Sequence, residues 1–84
     1  MAELLRRQVK LFVLKNFLFT EDDKALADGD SLIRGGIVDS TGILELIGWL
    51  EQTVNIRVPP EDMTPANFDS IDTIDAYLAR KLAT

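Results

Sequence analysis

A chain of 84 residues with a formal net charge of −5 reads as one small domain, and at this size only about 60% of the surface exposed by the unfolded chain is buried on folding, which argues against a deep active-site cavity. With neither cysteine nor histidine, disulfide staples, thiolate zinc sites and the commonest general base are all missing. No apolar run approaches the roughly eighteen residues of a spanning helix, and Met1-Ala2-Glu3 followed by Arg6-Arg7 does not resemble a signal peptide, so the expectation is a soluble, cytoplasmic chain.

In chain order, Leu5, Val9, Phe12, Val13 and Phe17 recur at helical steps and predict an amphipathic helix over residues 3–18. Arg6, Arg7, Lys10 and Lys15 fall elsewhere on its surface, with no aromatic platform between them for stacking nucleic-acid bases, and read as a solvated face. From Thr20 to Val38 the periodicity disappears. Glu21-Asp22-Asp23, Asp28-Gly29-Asp30 and Gly35-Gly36 are turn and breaker chemistry, so a long loop is expected, anchored by Leu26, Leu32, Ile33 and Ile37. Asp28-Gly29-Asp30 lacks the spacing of a calcium loop, and no metal site is expected.

Ile43, Leu46, Ile47, Leu50 and Val54 form the apolar stripe of a second helix over about 40–54, opposite Thr41, Glu45, Gly48 and Gln52 and flanked by Leu44 and Trp49. Asp39 is suited to cap it, because a carboxylate can accept from the unpaired N–H groups of the first turn. Ser40 then occupies the first helical position with its hydroxyl toward solvent. Two readings fit that residue: part of the cap, or an attachment point, since a phosphate there would sit at the positive end of the helix dipole, worth about 0.3–1 kcal/mol. Gly48, in the middle of the exposed face, costs the helix about 1 kcal/mol relative to alanine and reads either as a close-approach point or as an indifferent surface position.

Asn55 to Asp62 reads as a connecting loop in which Ile56 and Val58 turn inward and Pro59-Pro60 stop any helix. Thr64-Pro65 is expected to cap and open a short helix through Phe68. A last helix, capped by Asp69 or Ser70, has Ile71, Ile74, Leu78 and Leu82 as its buried stripe. Tyr77 flanks that stripe with its hydroxyl near water, and Arg80 and Lys81 lie in the last turn. The fold class is therefore all-α, a small bundle of three main helices plus one short one.

Charge is unevenly placed. Residues 1–38 carry six acids and six bases, whereas Asp39, Glu45, Glu51, Glu61, Asp62, Asp69, Asp72 and Asp75 are opposed over the same stretch by Arg57 alone. Such a surface repels nucleic acid and anionic membranes and favours basic protein patches, unless it serves solubility only.

Asp39-Ser40 at a helix start, Leu50-Glu51, Val58-Pro59 and the closing Ile74…Tyr77-Leu78 together resemble the acyl carrier protein family over almost the whole chain. The resemblance implies that Ser40 bears a 4′-phosphopantetheine arm drawn from coenzyme A, with Asp39 as the helix cap beside it, and that the chain carries a thioester-bound group without catalysing anything itself. It implies docking through Thr41, Leu44, Glu45, Gly48 and Glu51 on a phosphopantetheinyl transferase, an adenylate-forming ligase and acyl-transferring enzymes with basic patches. Where the family usually has leucine after the serine, this chain has Thr41-Gly42. That pattern is more similar to D-alanyl and other aminoacyl carriers, and it favours a short acyl or aminoacyl cargo. A stand-alone monomer covering residues 1–84, without nucleic-acid or membrane partners, is expected. The competing expectation is a small acidic adaptor that binds a partner through its second helix with Ser40 unmodified.

Overall fold

A computed structural model describes residues 2–83, without the side chains of Ala2 and Glu3; Met1 and Thr84 lie outside the described residues. The architecture is all-α: α1 (Ala2–Val13), α2 (Ser40–Val54), a short α3 (Pro65–Phe68) and α4 (Ile71–Ala83), with no strand among the described residues. The core is one cluster fed by every helix. It joins Val9 and Val13 of α1, Leu46, Ile47 and Leu50 of α2, Phe68 of α3, and Ile71, Ile74 and Leu78 of α4 to Leu26, Leu32 and Val38 from the long connection between α1 and α2. Burying these side chains contributes roughly 1.5–3 kcal/mol each before entropy is counted. The loop is thus anchored by apolar side chains, as its composition suggested.

Several local expectations need correction. The first helix does not run evenly to residue 18. After Val13 it widens into a π turn over Leu14–Leu18 and stops at Phe19, whose φ of 54° is left-handed and whose N–H donates to the Leu14 carbonyl. The widened turn changes which side chains face inward. Leu14, outside the expected stripe, is buried, and Phe19 is left 85% exposed. Ile33 is exposed because Leu32, its neighbour in the same turn, takes the inward position, and Leu82 is exposed in a groove between the start of α1 and the end of α2 that no further helix covers.

Pro59-Pro60 does not end helical structure. Pro60 opens a 3₁₀ turn (Pro60–Asp62), since at the first helical position its missing N–H removes no bond. Thr64 flanks α3 in extended conformation, but its side chain makes no capping bond; its carbonyl accepts from Asn67 and Phe68 instead. Of the two candidates for capping α4, Ser70 does so, in a reciprocal pair with Thr73: Thr73 N–H donates to Ser70 Oγ at 3.1 Å and Ser70 N–H to Thr73 Oγ1 at 3.0 Å. Tyr77 does not keep its hydroxyl in water. It is buried, packs tilted against Phe68 with ring centroids 5.1 Å apart, and donates to Asp62 Oδ2 at 2.8 Å.

The basic residues of α1 are not simply solvated either. Arg6 grips three carboxylates, with its Nη1 at 3.0 Å from Asp28 and 2.6 Å from Asp72 and its Nη2 at 2.8 Å from Asp75, while Lys10 Nζ lies 2.9 Å from Asp28. Bonds from Lys10 and then Arg6 hold the Asp28 carboxyl below its ordinary range. The clamp ties α1, the loop and α4 together. Asp72 and Asp75 lie one turn apart on α4 and both meet Arg6, while Arg6 and Lys10, one turn apart on α1, share Asp28; the charges were legible in the sequence, but residue spacing alone did not match them up.

Candidate functional site around Ser40

The start of α2 is built from local rules. Asp39, in extended conformation (φ −95°, ψ −173°), accepts from Gly42 N–H at 2.7 Å through Oδ1, and its carbonyl takes the Ile43 N–H at 2.9 Å. The expected cap is therefore present, and it belongs to Asp39 alone. Ser40 is exposed at the first helical position, and among the described residues its hydroxyl makes no hydrogen bond. The amides of Ser40 and Thr41 are likewise the two N–H groups of the first turn without a protein acceptor.

The chain reaches Asp39 through a tight turn. Leu32 accepts from both Ile37 and Val38 N–H, at 3.0 and 3.1 Å, and Gly36 supplies the left-handed residue (φ +71°) that this reversal requires. Gly42 is buried, and its role is steric. A Cβ there would lie 2.8 Å from Phe17 Cε1 and 2.9 Å from Val38 Cγ1. The π turn at the end of α1 thus delivers Phe17 under the first turn of α2, and Phe17 meets Phe12 edge-on at 6.1 Å while Phe12 stacks on Trp49 at 4.5 Å. This aromatic row braces one flank of α2. The resemblance drew attention to Gly42 only as part of Thr41-Gly42 and not as a contact, because the π turn that brings Phe17 there has no sequence signal.

Along α2, Thr41, Leu44 and Glu45 are exposed, with Leu44 at 60%. Nothing lies within 4 Å of a Cβ built at Gly48. Glu51 is placed differently from these four: it is half-buried, and its Oε2 accepts from Val58 N–H at 2.9 Å. The acidic excess shrinks in the same way. Asp39 holds Gly42, Glu51 holds Val58, Asp62 holds Tyr77, Asp69 holds Ser31, and Asp72 and Asp75 hold Arg6. Among the described residues, Glu45 and Glu61 remain as the acids of this stretch without a protein partner, and Glu45 lies on the exposed face of α2 with Thr41 and Leu44. Neither of two clefts, about 860 and 420 Å³ in volume, has a residue of the first turn of α2 in its wall.

Comparison with known proteins fits this layout. The chain is 39% identical over 57 residues to the D-alanyl carrier proteins of Streptococcus pyogenes serotypes M5 (strain Manfredo), M49 (strain NZ131) and M1, a match covering 68% of this chain and 71% of each relative. The chain belongs to the acyl carrier protein family. No family model matches it. Its role is that of a non-catalytic carrier. No helix among the described residues is long and apolar enough to cross a membrane.

Proposed function

We propose that this carrier bears a 4′-phosphopantetheine arm on the Ser40 oxygen and uses it to hold a short acyl or aminoacyl group for partner enzymes. The observation that supports this best is the exposed Ser40 hydroxyl, free of hydrogen bonds at the open end of a capped helix. The residues present fit a phosphodiester: the Ser40 and Thr41 amides lack acceptors, and the positive helix end favours the charge by about 0.3–1 kcal/mol. When bound, the arm supplies the thiol that a chain without cysteine lacks. Everything else falls to this chain's own residues. Asp39 fixes the helix start, and Thr41, Leu44, Glu45 and Gly48 present a surface with one carboxylate for a basic patch on a partner.

Two features support a short cargo. The residue after the serine is a threonine, and of Leu44, Phe68 and Ile74, the side chains that could line a pocket for a long acyl chain, Phe68 and Ile74 are closed in the core at 1% and 0% exposed while Leu44 stands exposed at 60%. An amino acid's ammonium, costly to bury unpaired, has no reason to enter such a core. The relatives are named for a D-alanyl cargo, and for this chain we infer a group of that size, loaded by an adenylate-forming ligase. The test is intact mass after incubation with a phosphopantetheinyl transferase and coenzyme A. The wild type should gain one phosphopantetheinyl group and Ser40→Ala none, with both folded. A wild type that stays unmodified, or an alanine variant that gains the group, overturns the assignment.

A further inference from the structure

The hydrogen bonds that hold the turn ahead of Ser40 converge on Asp69, at the junction of α3 and α4. Its carboxylate accepts from Ser31 Oγ at 2.8 and 2.9 Å and from Ile33 N–H at 3.1 Å, and its carbonyl accepts from Leu32 N–H at 2.6 Å. Ser31 Oγ in turn accepts from Arg34 N–H at 3.0 Å. Leu32 passes the constraint on, since its carbonyl takes the Ile37 and Val38 amides. Val38 then packs where Gly42 has no side chain, beside the Asp39 cap. An unbroken series of hydrogen bonds and contacts therefore runs from Asp69 to the residues on either side of Ser40, and Leu46, Ile47 and Leu50 of the α2 core stripe make none of those hydrogen bonds.

We propose that Asp69 is a positioning residue for Ser40: it holds residues 31–38 in the arrangement that lets Asp39 cap α2 and leaves the Ser40 hydroxyl open to a modifying enzyme. The proposal rests on the reading of Ser40 as the attachment point. Without the Asp69 carboxylate, α2 keeps its buried stripe, but the turn ahead of it samples other arrangements. A transferase then meets the competent arrangement only part of the time. Its apparent affinity falls by that fraction, while the rate inside the complex is unchanged.

The experiment measures KM and kcat for modification by a phosphopantetheinyl transferase with coenzyme A, together with amide hydrogen exchange of the unmodified chain. Asp69→Ala should raise KM roughly tenfold with kcat unchanged, a coupling of ordinary size. It should also speed exchange at Ile37, Val38 and Gly42 but not at Leu46 or Leu50. Asp69→Asn keeps an acceptor and should restore most of the affinity. Ser31→Ala should act in the same direction and add nothing when combined with Asp69→Ala. Ile74→Val, which lowers the melting temperature without removing any hydrogen bond of the turn, should leave KM alone. A wild-type KM or unchanged Gly42 exchange in Asp69→Ala overturns the proposal, and so does an equal KM rise in Ile74→Val. If the wild type gains no group, the attachment reading fails instead, and exchange at Gly42 still decides whether Asp69 orders the helix start.

Discussion

The two ends of α2 are finished in different ways. At its C-terminal end the backbone is closed: Asn55 turns left-handed (φ 59°), its N–H and that of Ile56 both donate to the Glu51 carbonyl, and the Glu51 side chain takes the Val58 amide. The strand of chain that follows is then pinned by the buried Tyr77 through Asp62. At its N-terminal end a single side chain, Asp39, satisfies one amide, and the amides and hydroxyl around Ser40 stay open. The difference separates the end of the helix that the chain itself closes from the end that, on the reading proposed for Ser40, is left open to partners. The open end is nonetheless rigidly backed, because Gly42 lets Phe17 and Val38 press against it from below.

The largest effect should come from breaking that backing. In an unconstrained helix interior, glycine to alanine stabilises by roughly 0.5–1 kcal/mol. At Gly48 nothing opposes the added methyl, so Gly48→Ala should raise the melting temperature. At Gly42 the methyl would have to displace Phe17 and Val38 from contacts that would fall below 3 Å, and overpacking of this kind costs about 1–3 kcal/mol. Gly42→Ala should therefore destabilise the chain, the opposite sign for the same substitution two turns away. Denaturant midpoints of the two variants measure this directly, and equal stabilisation would mean that the open end is not packed from below.

The closed end is tested by Tyr77→Phe. Losing the hydroxyl removes a bond to a carboxylate, worth about 1.5 kcal/mol, while the ring keeps its packing on Phe68. Burial, and then the bond to Asp62, push the Tyr77 phenol from its ordinary 10.0 up to about 12. The folded chain thus holds this proton more tightly than the unfolded one. Its contribution is complete below pH 10 and is lost as pH rises from there toward about 12. The wild type should show an alkaline fall in stability over that interval, and Tyr77→Phe should show a smaller one. Modification of Ser40 should be unaffected, since nothing in the closed end touches the helix start.

These ends also mark what the sequence made legible. The apolar stripe of α2, the Asp39 cap and the exposure of Ser40 all follow from spacing and local capping chemistry within a few residues, and each was readable in advance. The core anchors Leu26 and Leu32 were readable as apolar residues in a polar stretch, although the same reading also placed Ile33 inward. What spacing did not reveal depends on partners far apart in the chain. The π turn that rotates Phe17 under Gly42, the Asp62 acceptor that draws the Tyr77 hydroxyl inward, and the use of Asp69 to hold Ser31 instead of capping α4 are tertiary outcomes that override local preference. Leu82 was misplaced for a related reason: helical period says which face a residue is on, and only the neighbouring elements decide whether that face is covered.

The smallest effect should come from the Arg6 clamp, which ties α1 to the loop and to α4 but reaches neither end of α2. Arg6 has three carboxylates within hydrogen-bond distance, yet its side chain is 34% exposed and that of Asp72 53%, so solvent screens most of the attraction. Arg6→Met should lower stability by less than about 1 kcal/mol at low salt, and by less still as ionic strength rises. Its pH signature has a definite sign. Bonds from Lys10 and then Arg6 depress the Asp28 carboxyl below its ordinary 3.8, so the stabilisation is complete above that value and is lost as pH falls from there through the lower folded value. The acid fall should be shallower in Arg6→Met, with Lys10 still holding part of it. The amide of Asp72 also donates to the Asp28 carbonyl at 3.0 Å, a bond that the substitution leaves in place, and the turn over residues 31–38 hangs on Asp69, not on Asp28. Modification of Ser40 should therefore proceed with wild-type KM in Arg6→Met. A KM rise as large as that expected for Asp69→Ala would show that the whole connection from Phe19 to Asp39 moves as one body, and that the helix start is held by charge as much as by hydrogen bonds at the turn.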